Sequence, residues 1–250
     1  MKFKKTKIIA TLGPASNSKE MIERLIKSGV DVLRVNFSHA DHEDVKRIVN
    51  DVNVIRKKLN NHVTLLADLQ GPKIRIGEVI ENRELKKNEK ISFTTDKSIV
   101  NKNNIIEINY PSFAKDVKTG DKILIDDGKI IFKAISSNKN DIVEAKVIQE
   151  GVLKSRKGVN LPNTKISQPA LTKKDIKDTV FALKNSFDWI ALSFVRSKKD
   201  ILELKELISK NCDHHIPIIS KIEKPEAIKK MDEIIKVSNG VMVARGDLGI

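Results

Sequence analysis

Two tracts of the chain repeat one unit, a short apolar run followed by a segment of helical period, and that alternation admits little besides a parallel sheet flanked by helices. In the first tract KIIATLG precedes NSKEMIERLIKSG, VDVLRVNF precedes DHEDVKRIVNDVNVIRKKLN, and VTLLADL closes the run. Met21, Ile22, Leu25 and Ile26 stripe the first helical segment, and Val45, Ile48, Val49, Val52, Ile55 and Leu59 stripe the second. Asn17 and Glu20 stand at capping-box spacing, while Gly29 suits a C-terminal cap. The alternation resumes after GVNLP. Thr172 and Asp175 cap a helix, DWIALSF is a strand, and Ser197 and Asp200 cap a helix with Ile201, Leu204, Leu207 and Ile208 inside. IPIISKI follows, Pro225 opens another helix in the favoured first position, and GVMVARGD reads as a last strand, giving six strands of this type.

Between the two tracts the period changes. KISFTT, NIIEIN, DKILIDDGKIIFKAISS and DIVEAKVIQEG are short strands with turn punctuation, with a hairpin signal at Asp127-Gly128 and a polar turn over Ser136 to Asn140. The expected organisation is therefore a first β/α part over 1–73, an inserted all-β domain over 74–161 and a second β/α part over 162–250.

The apolar-period segments predict strand ends that share a chemistry. Arg34, Asn36 and Ser38 follow the second strand, Asp68 the third, Ser193 and Arg196 the fourth, Lys221 and Glu223 the fifth, and Arg245 and Asp247 the sixth. A rim that collects charged residues from the C-terminal ends of successive strands is the arrangement of a (β/α)8 TIM-barrel enzyme rather than an open sheet. Six strands leave such a barrel short of two, so the chain is expected to be a piece of a longer protein, truncated after the sixth strand. An unclosed barrel exposes parallel-sheet edges, and the 250-residue chain alone is expected to be inactive and poorly stable.

Lys221 and Glu223 are two apart on an extended segment and share a face. Glu223 with Asp247 from the next strand makes a hard-oxygen set suited to Mg2+, with Mn2+ as the alternative ion. Lys221 beside that metal, with Arg34 across the rim, would surround a phosphoryl group with positive charge, the main resource of phosphoryl-transfer catalysis.

In order and in register, KIIATLGPAS, RVNFSH, LLADLQGPKIR, KGVNLP, SKIEKPEA and MVARGDLG resemble the pyruvate kinase family over essentially the whole chain. The resemblance implies a (β/α)8 barrel with a small β lid inserted after the third strand and a separate C-terminal domain. It implies transfer of a phosphoryl group from phosphoenolpyruvate to ADP in the cytoplasm, by an enzyme that is usually a homotetramer. By motif position Lys221 would stabilise the transferring group and Arg34 would pair with the substrate phosphate. Glu223 and Asp247 would hold Mg2+, with the Gly246 backbone near the substrate carboxylate. Asn36, His39, Arg75 and Lys157 would meet the nucleotide. A threonine of the proton-transfer site falls on the family's seventh strand. Many members bind K+ through the positions of Asn36, Ser38, Asp68 and the Leu69 carbonyl and carry Glu where this chain has Lys73. The Lys73 ammonium is therefore expected to replace K+ and make the cation dispensable.

Other readings of the same residues are weaker. The chain is 40% hydrophobic with no run of membrane-spanning length, and a single cysteine, Cys212, fits a reducing compartment. The net charge of +14 is spread among acidic residues, with one Tyr and one Trp as stacking platforms, which argues against nucleic acid as a partner. A Mg2+-dependent barrel lyase or aldolase acting on oxo-acids also uses Glu and Asp on neighbouring strands, but it has no use for so long an insert or for Arg34, Arg75 and Lys221. Arg245-Gly246-Asp247 abuts a buried strand, unlike an adhesion motif on a loop tip. Cys212, His214 and His215 lack a fourth zinc ligand and read as a turn. Asp126 and Asp127 belong to the hairpin turn, and His62 lies in a polar connection.

Overall fold

The computed structural model describes residues 4–100 and 104–249. Met1 to Phe3 of the opening basic segment, and Ile250, lie outside the described residues. The chain divides into one unit of residues 1–71 and 170–243 and a second of residues 72–169 and 244–250.

In chain order the first unit begins with β1 (Ile9–Leu12), α1 (Lys19–Lys27), β2 (Val32–Asn36), α2 (His42–Leu59) and β3 (Thr64–Asp68). Ser18 caps α1, its side chain accepting from Met21 N at 3.3 Å. The expected Asn17/Glu20 pair is thus displaced by one residue. Ser18 is the position with extended backbone, and it leaves Glu20 in the first turn, where a negative charge meets the positive helix end. Gly29 follows the helix with φ +95°, as a left-handed C-terminal cap requires. Val45, Ile48, Val49, Val52 and Ile55 of α2 are all buried, as their spacing predicts.

The second unit carries β4 (Arg83–Leu85), β5 (Lys90–Thr94), a 3-10 turn over Lys97–Ile99, β6 (Ile105–Glu107), α3 (Phe113–Asp116), β7 (Lys122–Ile125), β8 (Ile130–Ser137), β9 (Ile142–Gln149), β10 (Gly151–Leu153) and β11 (Val159–Asn160). Six of its strands form one sheet in the order β11-β7-β8-β9-β5-β6, and β10 pairs with β4. Phe93 packs edge-on against Phe113 and Phe132 at ring separations of 6.0 and 5.2 Å, the geometry aromatic quadrupoles favour. The β7–β8 turn needs left-handed backbone at Asp126 (φ 53°), Asp127 (φ 57°) and Gly128 (φ 82°), residue types that tolerate it. The segment after β11 is tied into this unit by polar contacts. Thr164 Oγ1 donates to Asp121 at 2.8 Å and Ser167 N to Asp116 at 2.7 Å. The unit therefore runs on past the expected boundary at Leu161.

The first unit resumes with α4 (Lys173–Lys184), β12 (Trp189–Leu192), α5 (Lys198–Asn211), β13 (Ile218–Ile222), α6 (Pro225–Lys229), α7 (Met231–Val237) and β14 (Gly240–Val243). Thr172 and Asp175 form the expected capping box, and Asp200 reaches back to Ser197 N at 3.2 Å. The expected last strand, GVMVARGD, is shorter than its apolar run. It ends at Val243, and Arg245–Leu248 forms a single helical turn, α8, in which Leu248 N bonds Ala244 O at 2.9 Å.

The six strands of the first unit are parallel and neighbour one another in strict chain order, β1-β2-β3-β12-β13-β14. A doubly wound sheet reverses its order at a switch point, whereas an unreversed βα series is the wall of a (β/α)8 barrel, here unclosed. Its middle is dry: Leu65, Leu66, Ala67, Ile190, Ala191 and Leu192 are fully buried. Its edges are not. Ile9 of β1 is 45% exposed and Val243 of β14 57%. Exposed apolar edge strands template association, so residues 1–250 produced alone are expected to sediment as aggregates; a monodisperse monomer would contradict this.

Candidate active site

Sheet register decides which side chains meet at the strand ends. Asp68, the last residue of β3, lies beside Asn36 of β2 and Ala191 of β12, and Leu192 pairs with Ser220, the residue before Lys221. Strands that start from distant parts of the sequence therefore end on one another.

Asp68 is the hub. Its side chain is 1% exposed and pairs with two cations: Arg34 Nε donates to Oδ2 at 2.6 Å, and Lys221 Nζ lies 3.1 Å from Oδ1. Arg34 Nη1 also donates to Thr11 Oγ1 of β1 at 2.7 Å, so the guanidinium is fixed on both sides. Lys221 Nζ lies 3.0 Å from Glu223 Oε1 and donates to Ser193 Oγ at 2.7 Å, with its side chain 11% exposed. The same-face placement of Lys221 and Glu223 is therefore realised as an ion pair. Ser193 Oγ in turn donates to Leu69 O at 2.6 Å.

Glu223 is held a second way. Phe194 N donates to its Oε2 at 2.6 Å, from a backbone with φ 55°. A non-glycine residue in the left-handed region marks strain held in place by its surroundings, and here it aims an amide at the carboxylate. Gly71 completes the arrangement: a Cβ there, at φ +67°, would come within 2.9 Å of both Ser193 Cβ and the Phe194 ring. Burial pushes the Lys224 ammonium down to about 8, with Glu226 opposing that shift, Arg196 adding to it and Glu223 opposing it.

Asn36 Oδ1 accepts from Ser38 N at 3.1 Å and the exposed His39 donates its N–H to Asn36 O at 3.3 Å, so these form a tight turn after β2. In the second unit Lys73 lies beside Gly158, and Arg75 pairs with Gly158 in an isolated bridge. Arg75 Nη1 donates to Arg156 O at 3.0 Å, and Lys157 Nζ lies 2.9 Å from Asp126 Oδ1. Lys157, followed by Lys129, holds the Asp126 carboxyl below its usual range. Gly246 and the half-buried Asp247 lie on α8, in the same unit. Cys212 Sγ sits 3.1 Å from His214 Nδ1 while His215 faces Asn239, and no group of three or more His, Cys, Asp or Glu suited to a metal occurs among the described residues.

Sequence reasoning placed Ser193 on the rim without a role and missed the left-handed Phe194 and the Thr11 contact. Asp68, which the resemblance implies for a monovalent-cation site, is in this fold the common partner of Arg34 and Lys221. The register of three strands carries that information, and no local motif does.

Fold and strand-end network together define a (β/α)8-type barrel protein with a charged cluster at the C-terminal ends of its strands, the position of the active site throughout that class. The family described as pyruvate kinase, barrel domain, matches residues 3–250. The chain is 44% identical over 248 residues to a pyruvate kinase of Corynebacterium glutamicum, covering 99% of this chain and 52% of that protein. It is 40% identical to those of Clostridium perfringens and Geobacillus stearothermophilus, again over 99% of this chain, and covers 52% and 42% of them. This chain belongs to the pyruvate kinase family and spans about half the length of the curated relatives it matches.

Proposed function

We propose that the protein of which this chain forms the barrel part is a Mg2+-dependent phosphotransferase that moves the phosphoryl group of phosphoenolpyruvate to ADP, giving pyruvate and ATP. The observation that carries the reading is the Lys221 ammonium, fixed at 3.1 Å from Asp68 and 3.0 Å from Glu223 at the strand ends of a barrel of this family. The full-length protein would be a cytoplasmic homotetramer, as the family resemblance implies. No described helix is long and apolar enough to cross a membrane.

Phosphoryl transfer gains most from positioned charge. Lys221 is paired with both carboxylates, so its charge is already in place when negative charge spreads over the oxygens of the group in flight. Arg34, oriented by Asp68 and Thr11, presents its remaining N–H donors to the substrate phosphate. The buried Glu223, oriented by the Phe194 amide, fits the hard-oxygen chemistry of a divalent ion, and Asp247 would be its second carboxylate ligand. When bound, that ion neutralises phosphoryl oxygens. Gly246 admits the substrate carboxylate close to the backbone. Asn36, His39, Arg75 and Lys157 meet the nucleotide, for which Lys157 exchanges its Asp126 partner for phosphate.

ATP formation from phosphoenolpyruvate, ADP and Mg2+ by the full-length natural protein tests the reading. Its absence, with cleavage of an oxo-acid in the absence of nucleotide, would favour the lyase instead.

Lys73 carries a separate prediction. Its ammonium supplies the positive charge that K+ provides elsewhere in the family, so turnover with tetramethylammonium as the sole monovalent cation is expected to stay within about twofold of turnover with K+. Stimulation by K+ of about tenfold or more would remove that role from Lys73.

A further inference from the structure

The geometry points to the first turns of α4 as a bracket that sets both rim turns, with Lys174 and Asp178 as positioning residues for the turn after β2 and Asp175 for the turn after β3. This inference rests on the phosphotransferase reading, because those turns carry Asn36, Ser38 and His39 on one side and Asp68 and Leu69 on the other.

The acids of α4 have unusual surroundings. Asp175, Asp178 and Thr179 lie on its buried face, with Asp175 0% and Asp178 2% exposed. A buried carboxylate costs several kcal/mol unless it is paired and hydrogen-bonded; Asp175 meets the Gly71 amide after β3, and Asp178 meets Lys174 and His42 at the start of α2. Lys174 is equally out of place. A cation in the first turn opposes the helix dipole, yet its Nζ donates to Asp178 Oδ2 at 2.5 Å and to the carbonyl oxygen of Phe37 at 2.7 Å. Phe37 is the residue between Asn36 and Ser38.

The other oxygen of Asp178 lies 2.8 Å from His42 Nε2, at the start of α2, and the His42 ring stacks on Phe181 of α4 at 4.0 Å. Phe37 itself is fully buried, edge-on to Phe181 and Phe187 at 6.2 and 5.7 Å. Asp178 therefore holds one end of the segment from Phe37 to His42 directly, at His42, and the other through the Lys174 ammonium, which binds the Phe37 carbonyl. Three residues back along the helix, Asp175 Oδ1 accepts from Gly71 N at 3.0 Å, just beyond Leu69, and Gly71 is the position where no Cβ fits. Apolar packing alone would hold Phe37 in depth without fixing its carbonyl direction. The ammonium fixes that direction, and with it the Asn36 and Ser38 groups on either side.

The test uses the full-length natural protein with Lys174→Met, Lys174→Arg and Asp178→Asn, and with Lys177→Met, an exposed lysine of the same helix, as control. The Lys174 side chain is 43% exposed and Asp178 keeps its contact to His42 when Lys174 is replaced, with Tm as the folding control. Lys174→Met and Asp178→Asn are expected to speed amide exchange at Ser38 and His39 about tenfold, with the amides of β13 unchanged. In the ATP-forming assay Lys174→Met is expected to lower kcat/KM for ADP about tenfold while KM for phosphoenolpyruvate stays within about twofold, and Lys174→Arg is expected to restore it. Unchanged exchange at Ser38 and His39, or a uniform loss in every kinetic constant that tracks Tm and is not rescued by Arg, would overturn the bracket. If the wild-type protein forms no ATP, the phosphotransferase reading fails by itself and the exchange data alone decide the bracket.

Discussion

Lys221→Met in the full-length protein is expected to lower kcat for ATP formation by about three orders of magnitude, with KM for phosphoenolpyruvate changed far less. Methionine keeps the apolar stem as far as Cε, so the variant removes the ammonium and its contacts to Asp68, Glu223 and Ser193. That charge is preorganised, with Asp68 Oδ1, Glu223 Oε1 and Ser193 Oγ all within 3.1 Å of Nζ and the side chain 11% exposed. Arg34 meets the phosphate from across the rim, held by Asp68 and Thr11, and so does not move into the place of the lost ammonium. Steady-state kinetics with Tm as a folding control decides the matter. A folded variant that retains about a tenth of wild-type kcat would show that the transferring group draws its stabilisation from elsewhere.

Asp68→Ala is expected to cost the full-length protein about 3 kcal/mol of stability, the effect of leaving the buried Lys221 and the part-buried Arg34 without their shared carboxylate. Two cations depend on it, Arg34 through Nε at 2.6 Å and Lys221 at 3.1 Å, and the acid itself is 1% exposed. Lys221 keeps Glu223, so the loss concentrates on Arg34 and on the now empty space between them. Urea denaturation measures it. A loss below about 1 kcal/mol would mean that solvent screens this network as it screens surface pairs.

The difference between these sites and the rest of the fold is one of range. Periodicity along a few residues sufficed for the longer strands and helices of both units, because burial of one face is a local demand: the α2 stripe and the Thr172/Asp175 capping box are examples. It passed over the short β4, β10 and α3 and did not divide the segment after Pro225 into α6 and α7. It misjudged the ends of elements. Ser18 caps α1 one residue after the expected cap, and the last apolar run breaks at Ala244 into α8, since hydrogen bonds at an element's end compete on fine margins.

Lys221 and Glu223 were legible as a pair for the same local reason, two residues apart on one strand face. The membership of Asp68 in that pair was not. It depends on β3 lying between β2 and β12 in a register that brings Asn36 and Ala191 beside it, which no stretch of sequence specifies. Nor could the sequence show that the capping residue Asp175 also reaches the turn after β3, or that Asp178 is buried with Lys174 as its partner, since by pattern Lys174 and Asp178 are ordinary polar residues of a surface helix. Amino-acid order determined the secondary elements, the β insert and the chemical types available at the strand ends, through short-range burial and propensity. Only tertiary packing decided which of those charges share a partner, because a charge pair is defined by a few ångströms in space between residues more than a hundred apart in the chain, such as Lys221 and Asp68.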